Sequence, residues 1–211
     1  MDEHIDSPAR LEGSPRLFEN ALLDKLSRVH HTVPLFVYVP ILLALTFFSL
    51  RLLAWPTAFV GLVAGYLVWT LVEYFGHRYL FHLDLPGRVG ARVHYLIHGV
   101  HHDHPNDRLR LVMPLLLSLP IVAIAFAVLR PLCGPNLVLA VWDGFIAGYV
   151  GYDMVHYYVH HARPRTKFGR LLQQRHLSHH FRNNTSCFAV SAPWWDEIFG
   201  TGPSRVPAKI R

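Results

Sequence analysis

The sequence predicts an all-α integral membrane protein with four transmembrane helices under a cytosolic, histidine-rich cap. Three observations predict it. Of 211 residues, 52% are hydrophobic and 16% charged, a balance unlike that of an ordinary soluble domain. The apolar residues gather in four long runs, and the 16 histidines gather outside them. The cations are lopsided as well, since 18 of the 20 Lys and Arg fall in segments that an even number of crossings places on one side.

Taken in order, residues 1–16 read as a polar tail rich in Pro and Gly, and 17–211 as a single membrane domain. The tail mixes both charges and has no basic region leading into a short apolar one, so no cleavable signal is expected. In "RLFENALLDKLSRVHH", Leu17, Phe18, Ala21, Leu22, Leu26 and Val29 share roughly one helical face, which predicts a helix lying on the membrane surface or packed on protein before the first crossing. Val33 to Leu50 carries no charge, nor does Pro56 to Val72, nor Leu111 to Leu129, and Leu132 to Tyr152 is broken only by Asp143. About 20 residues span the hydrocarbon layer, so crossings are expected over about 33–54, 56–76, 111–130 and 136–155. Buried core helices of a soluble protein would be shorter and more amphipathic. Pro56 turns the first pair into a hairpin, and "RPLCGPN" turns the second. Gly61, Gly65, Gly144 and Gly148 allow close helix contact within the crossings.

Residues 77–110 and 156–211 then form the cap. Four Lys or Arg precede residue 33, five lie from Arg78 to Arg110 and nine follow Asp153, whereas Arg51 and Arg130 alone fall between paired runs. The positive-inside rule makes the richer side cytoplasmic, with both termini there. The net charge of +6 therefore records topology rather than an affinity for nucleic acid. Cys133 falls in the outer turn and Cys187 in the cytosolic tail, so no disulfide is expected between them.

Ten histidines form four clusters: His77 and His82; His98, His101 and His102; His156 and His160; His176, His179 and His180. Residues at i, i+3 and i+4 of a helix lie near one another, so each His-x-x-His-His is expected to aim three imidazoles at one volume, and His156 with His160 two more. His77 and His82 are five apart and do not share a face of a regular α-helix, so one is expected past a helix end. Imidazole suits Zn, Fe, Cu and Ni, and ten exceed what one ion holds, which predicts a dinuclear site. Glu73 and Asp153, four and three residues ahead of a histidine, are candidates to fix a ligand's tautomer, and His94 is a candidate outer partner.

"EYFGHRYLFH", "HGVHHDHPNDRLRLVMP", "YDMVHYYVHH" and "RHLSHHF" with the later "WWDEIFGT" resemble the fatty acid 2-hydroxylases, the sphingolipid α-hydroxylases of the fatty acid hydroxylase/sterol desaturase superfamily, from about Arg16 to about Thr201. The stretch from His104 to Pro114 points to the 2-hydroxylase branch. The resemblance implies a membrane enzyme holding two Fe ions on His77, His82, His98, His101, His102, His156, His160, His176, His179 and His180, with zinc able to take their place in purified protein. It further implies O2 as co-substrate, hydroxylation of a fatty acyl chain at C2, and a role for the pair Tyr152 and Asp153 in shaping the site. Many relatives carry a cytochrome b5 domain ahead of the first crossing, whereas about 30 residues stand there in this chain, so a separate electron donor is expected, cytochrome b5-like, a ferredoxin or a reductase.

Asn106, Asp107, Arg108 and Arg110 are candidates to meet a lipid head group, and Trp194 and Trp195 read as packing or interfacial anchors. Two rival readings share parts of this pattern. Sterol and carotenoid hydroxylases and desaturases use a similar histidine framework. A metal carrier expects ionisable ligands at mid-membrane, where Asp143 is nearly alone. The membrane itself is open between the endoplasmic reticulum and a bacterial inner membrane.

Overall fold

The computed structural model describes residues 11–203, so both termini, residues 1–10 of the expected tail and residues 204–211 lie outside the described residues. Among the described residues every regular element is helical. Helix α1, Ala21–Leu26, is opened by Asn20, whose side chain accepts from the N–H groups of Leu22 and Leu23. It is shorter than the apolar face from Leu17 to Val29 foretells. The carboxylate of Asp24 accepts from Leu17 N at 2.7 Å and pairs with Arg28 at 3.2 Å, which folds the flanking chain back onto the helix. Leu17 and Val29 are thereby buried, while Leu22, Leu23 and Leu26 face outward.

Helices α2, Val33–Leu52, and α3, Trp55–Phe75, form the expected hairpin, with Leu53 and Ala54 extended between them and Pro56 in the first turn of α3. The helical path does not stop at Phe75. It continues as a π-helical turn, Gly76–Phe81. After it come α4, Gly87–His94, a second π-helical turn, Tyr95–Gly99, and α5, Val100–Asp103. Helices α6, Leu115–His161, α7, Lys167–Phe181, and α8, Trp194–Ile198, complete the chain.

The 47 residues of α6 would make a straight rod about 70 Å long. It is not straight. Trp142 Nε1 donates to the carbonyl of Val122 at 2.9 Å, and the rings of Phe126 and Trp142 lie 4.8 Å apart. Contacts between residues 20 apart require a reversal, and Gly134, at φ 74° within "RPLCGPN", supplies it in a conformation that costs glycine little. Two antiparallel arms result, one on each side of Gly134. The first begins at Leu115 rather than at 111, because Pro114 precedes it as its cap; Leu111 and Val112 are buried outside the helix. Val33–Leu52, Trp55–Phe81 and Leu115–His161 are long and apolar enough to cross a membrane, and the last takes in residues 115–130 and 136–155 of the two later expected crossings.

Small residues set how closely α3 meets α6. A Cβ on Gly65 would fall on the carbonyl of Val141, and one on Gly144 on the carbonyl of Leu62, so the two backbones touch where these glycines face each other. Tyr38, Trp69, Phe145, Ile146 and Tyr149 fill the centre of the bundle. Asp143, the carboxylate within the fourth apolar run, accepts from Thr46 Oγ1 at 2.6 Å, which supplies the polar partner a buried carboxylate needs. Large apolar side chains cover the outside, among them Phe36 at 78% and Leu132 at 76% exposure. That outward face suits hydrocarbon rather than water.

Candidate metal centre

The helices deliver all ten clustered histidines to one region, in two groups of five whose ligand atoms lie within 4.8 Å of one another. One group is His77, His82, His98, His102 and His179; the other is His101, His156, His160, His176 and His180. The five-residue spacing of His77 and His82 is explained by the π-helical turn. Its i→i+5 hydrogen bonding widens the turn and returns the chain to the same face after about five residues, with His82 capping its end.

The expectation that each His-x-x-His-His aims at one volume is corrected. Each triplet divides, its first and last histidines going to one group and its middle histidine to the other. The reason is angular. At 3.6 residues per turn, i and i+4 differ by about 40°, whereas i+3 and i+4 differ by about 100° and look into neighbouring volumes. Helices α5 and α7 thus stand between the groups and feed both. The groups abut, with the rings of His102 and His180 stacked at 4.3 Å.

A neutral imidazole has one N–H and one lone pair. His77 Nδ1 donates to the carbonyl of Phe188 at 2.6 Å, and His179 Nδ1 donates to that of Ser186 at 2.7 Å, so both turn a bare Nε2 inward. His82 Nε2 faces these two atoms at 3.3 and 3.0 Å, and a single proton on it satisfies only one of them. His77 Nε2 also meets His98 Nε2 at 3.0 Å. In the second group, His156 Nε2 meets His101 Nε2 at 2.9 Å and His176 Nε2 meets His160 Nε2 at 2.8 Å and His180 Nε2 at 3.1 Å. Converging lone pairs repel unless a cation lies among them. With metal–nitrogen bonds of about 2.1 Å, ligands at right angles sit about 3 Å apart, which is the spacing found. The donor set fits two transition-metal ions.

Electrostatics agree with that use. Burial, then repulsion from His179 and neighbouring histidines, holds His82 down to about 4 and His102 to about 3, and burial holds His179 to about 4. Burial and mutual repulsion likewise hold His98, His101, His176 and His180 well below the ordinary histidine value. These imidazoles are neutral at physiological pH, the state in which they ligate.

Glu73 and Asp153 do not touch the histidines they were expected to orient. Glu73 accepts from the N–H groups of Val190 and Ser191 at 2.7 and 2.8 Å and from the Ser191 hydroxyl. Asp153 accepts from Met113 N at 3.2 Å. His94 stands beside His82, ring to ring at 6.4 Å, outside both groups. Asp107 and Arg110 form an ion-paired cluster with Asp24, Arg110 reaching Asp107 at 3.4 Å and Asp24 at 3.5 Å. Trp195 donates to Thr70 Oγ1 at 3.1 Å and packs on Tyr74, Phe188 and Ala189, as an anchor should, while Trp194 is more exposed.

An apolar cavity of about 350 Å³ adjoins both groups, touching two histidines of the second and one of the first. His98, His101, His156, Tyr152 and Asp153 line it together with Leu23, Leu26, Leu116 and Leu117, which are also exposed on the outer surface. A single space therefore links the histidines to the apolar exterior. Sequence patterning does not disclose this cavity, because Leu111, Val112 and Leu17 enter its wall from irregular segments with no period. The carbonyls of Ser186 and Phe188 are equally hidden, since a backbone oxygen leaves no mark on side-chain identity.

The fatty acid hydroxylase family profile matches residues 62–201, the span that carries all ten histidines. The dihydroceramide fatty acyl 2-hydroxylase FAH2 of Arabidopsis thaliana is 35% identical over 95% of this chain and 85% of its own length. The fatty acid 2-hydroxylase of Rattus norvegicus is 35% identical over 88% of this chain and 56% of its own length. Among solved structures, full-length scs7p, of which only the hydroxylase domain is visible, superposes with a TM-score of 0.83 at 33% identity, covering 88% of this chain and 71% of that one. With the profile spanning both histidine groups and a relative 35% identical over 85% of its own length, the chain belongs to the fatty acid hydroxylase family.

Proposed function

We propose that the protein is a membrane-embedded fatty acid 2-hydroxylase, acting on a fatty acid or on the acyl chain of a sphingolipid. One oxygen atom of O2 enters the C2–H bond and the other leaves as water, with two electrons and two protons consumed. The observation that carries this reading is the apolar cavity that runs from the two histidine groups to exposed leucines, in a chain whose relatives are named for 2-hydroxylation. The ten histidines are the ligands of two iron ions, five to each. Iron there supplies O2 activation and the redox couple that C–H cleavage needs, which zinc, as an occupant in purified protein, lacks.

The chain's own residues bind and orient. Leu23, Leu26, Leu116 and Leu117 hold methylenes and exclude water along the cavity. Reaction at C2 requires the carbonyl end to stop beside the histidines, since C2 is its immediate neighbour. Tyr152 and Asp153 are placed for that, one turn before His156 on α6, with the Tyr152 ring 5.7 Å from that of His156. They position the polar end of the substrate, with Arg110 in the same wall. The four apolar segments cross the membrane with the cap and both termini on the cytosolic side, in the endoplasmic reticulum or a bacterial inner membrane. A separate donor, cytochrome b5-like, ferredoxin or reductase, delivers the electrons to that side.

The test is lipid mass spectrometry on cells expressing the protein, with fatty acids released and the hydroxyl position assigned. 2-Hydroxy acids absent from control cells are expected. Hydroxylated sterols or carotenoids without 2-hydroxy acids would replace the proposed substrate. A second expectation concerns the tail. Trp195→Ala removes a half-buried anchor at a cost of about 3 kcal/mol and should lower the yield and melting temperature of the protein while the hydroxyl stays at C2. A shifted position in well-folded variant protein would assign Trp195 to the substrate site instead.

A further inference from the structure

The two histidine groups are built differently behind the ligands. In the first group, the tautomers of His77 and His179 are set by the carbonyls of Phe188 and Ser186, both from one short segment. That segment is held along its whole length. Cys187 N donates to the carbonyl of Thr201 at 2.7 Å; Phe188 N and Ala189 N donate to the Asp196 carboxylate at 2.9 and 3.3 Å; Val190 N and Ser191 N donate to Glu73. Five successive N–H groups thus have fixed acceptors on other elements. Cys187 sits at φ 58°, a left-handed conformation that costs a non-glycine residue about 1 kcal/mol or more and persists only where its surroundings enforce it.

In the second group one histidine, His156, has a backbone carbonyl behind it, that of Leu111, and the other four have none. Among the described residues, the Nδ1 atoms of His101, His160, His176 and His180 are buried without a hydrogen-bond partner in the chain. A ligating imidazole whose far nitrogen donates to a fixed acceptor is held in tautomer and orientation, and loss of such a partner lowers metal affinity by about 10–100-fold.

We infer that Glu73 and Asp196 are positioning residues which, by clamping the segment 186–191, make the site of His77, His82, His98, His102 and His179 the tighter of two unequal metal positions. This rests on the two-metal reading above and adds an order to it. The tight site fills first and keeps its ion. The site of His101, His156, His160, His176 and His180, which supplies two of the three histidines in the cavity wall, is the exchangeable one.

The test is an anaerobic titration of the metal-free, full-length protein in detergent with Fe(II), followed by calorimetry and by metal analysis after dialysis. Wild type should bind two equivalents in separate steps. His180→Ala should lose the weaker step and His179→Ala the tighter one. Asp196→Asn and Glu73→Gln should weaken the tighter step alone, by about 10–100-fold. Ser191→Ala, which removes only a hydroxyl from the Glu73 cluster, should do so by less and serves where a carboxylate variant fails to fold. Wild type that binds one equivalent or none would overturn the two-metal reading itself. Two equal steps in wild type, loss of the tighter step in His180→Ala, or clamp variants that fold and bind as wild type does would overturn the ordering while leaving two metals in place.

Discussion

The double variant His176→Ala, His180→Ala is expected to make no more than about a thousandth of the wild-type 2-hydroxy product, the scale on which loss of a preorganised catalytic group acts. Both side chains belong to the same group of five, so their removal leaves that metal position three nitrogens, while His179, between them on α7, still serves the other. The loss is therefore specific. Metal content should fall from two equivalents toward one, and the helix should persist, since alanine favours it and Leu172 and Gly169 still bury the face of α7 that packs inward. Lipid mass spectrometry beside metal analysis on the same preparation separates loss of chemistry from loss of protein. Product at the wild-type level would remove this group from catalysis.

What the sequence discloses and what it hides divide along physical lines. The four runs were legible because hydrocarbon demands unbroken apolar stretches, and the hairpin at Gly134 because only Gly and Pro punctuate such a stretch. The ten histidines were legible by spacing, yet their partition was not: grouping i with i+4 and excluding i+3 depends on two centres standing side by side, which no single helix displays. The π-helical turn joining His77 to His82 was likewise unreadable, because local propensity does not distinguish it from an α-helix that ends early. Sequence spacing places Glu73 near a ligand but does not show that its partners are the N–H groups of Val190 and Ser191. Glu73 lies four residues before His77 in sequence, whereas it holds Val190 and Ser191, close along the chain to Phe188, whose carbonyl meets His77 from 111 positions away.

Acidification should release metal and destabilise the fold together, steeply, between pH 6.5 and about 4. The sign follows from the histidines of the cap. His82 and His179 lie near 4 and His102 near 3 in the folded chain, and His98, His101, His176 and His180 are also depressed, all chiefly by burial, against 6.5 when unfolded. Between those values the unfolded chain binds more protons, so stability is complete above 6.5, is lost as the pH falls toward the folded values, and changes little below them. Each such histidine contributes a slope of about 1.4 kcal/mol per pH unit, and several titrate in the same window. Bound metal steepens the fall, because protons compete for the same nitrogens. Melting temperature and retained metal, followed from pH 8 to pH 4 in detergent, should both be level above 6.5 and drop below it. The double variant, lacking two depressed histidines, should drop less steeply. A wild-type melting temperature and metal content unchanged down to pH 4 would show that these imidazoles are not buried in neutral form, and the arrangement of lone pairs on which the metal centre rests would fall with it.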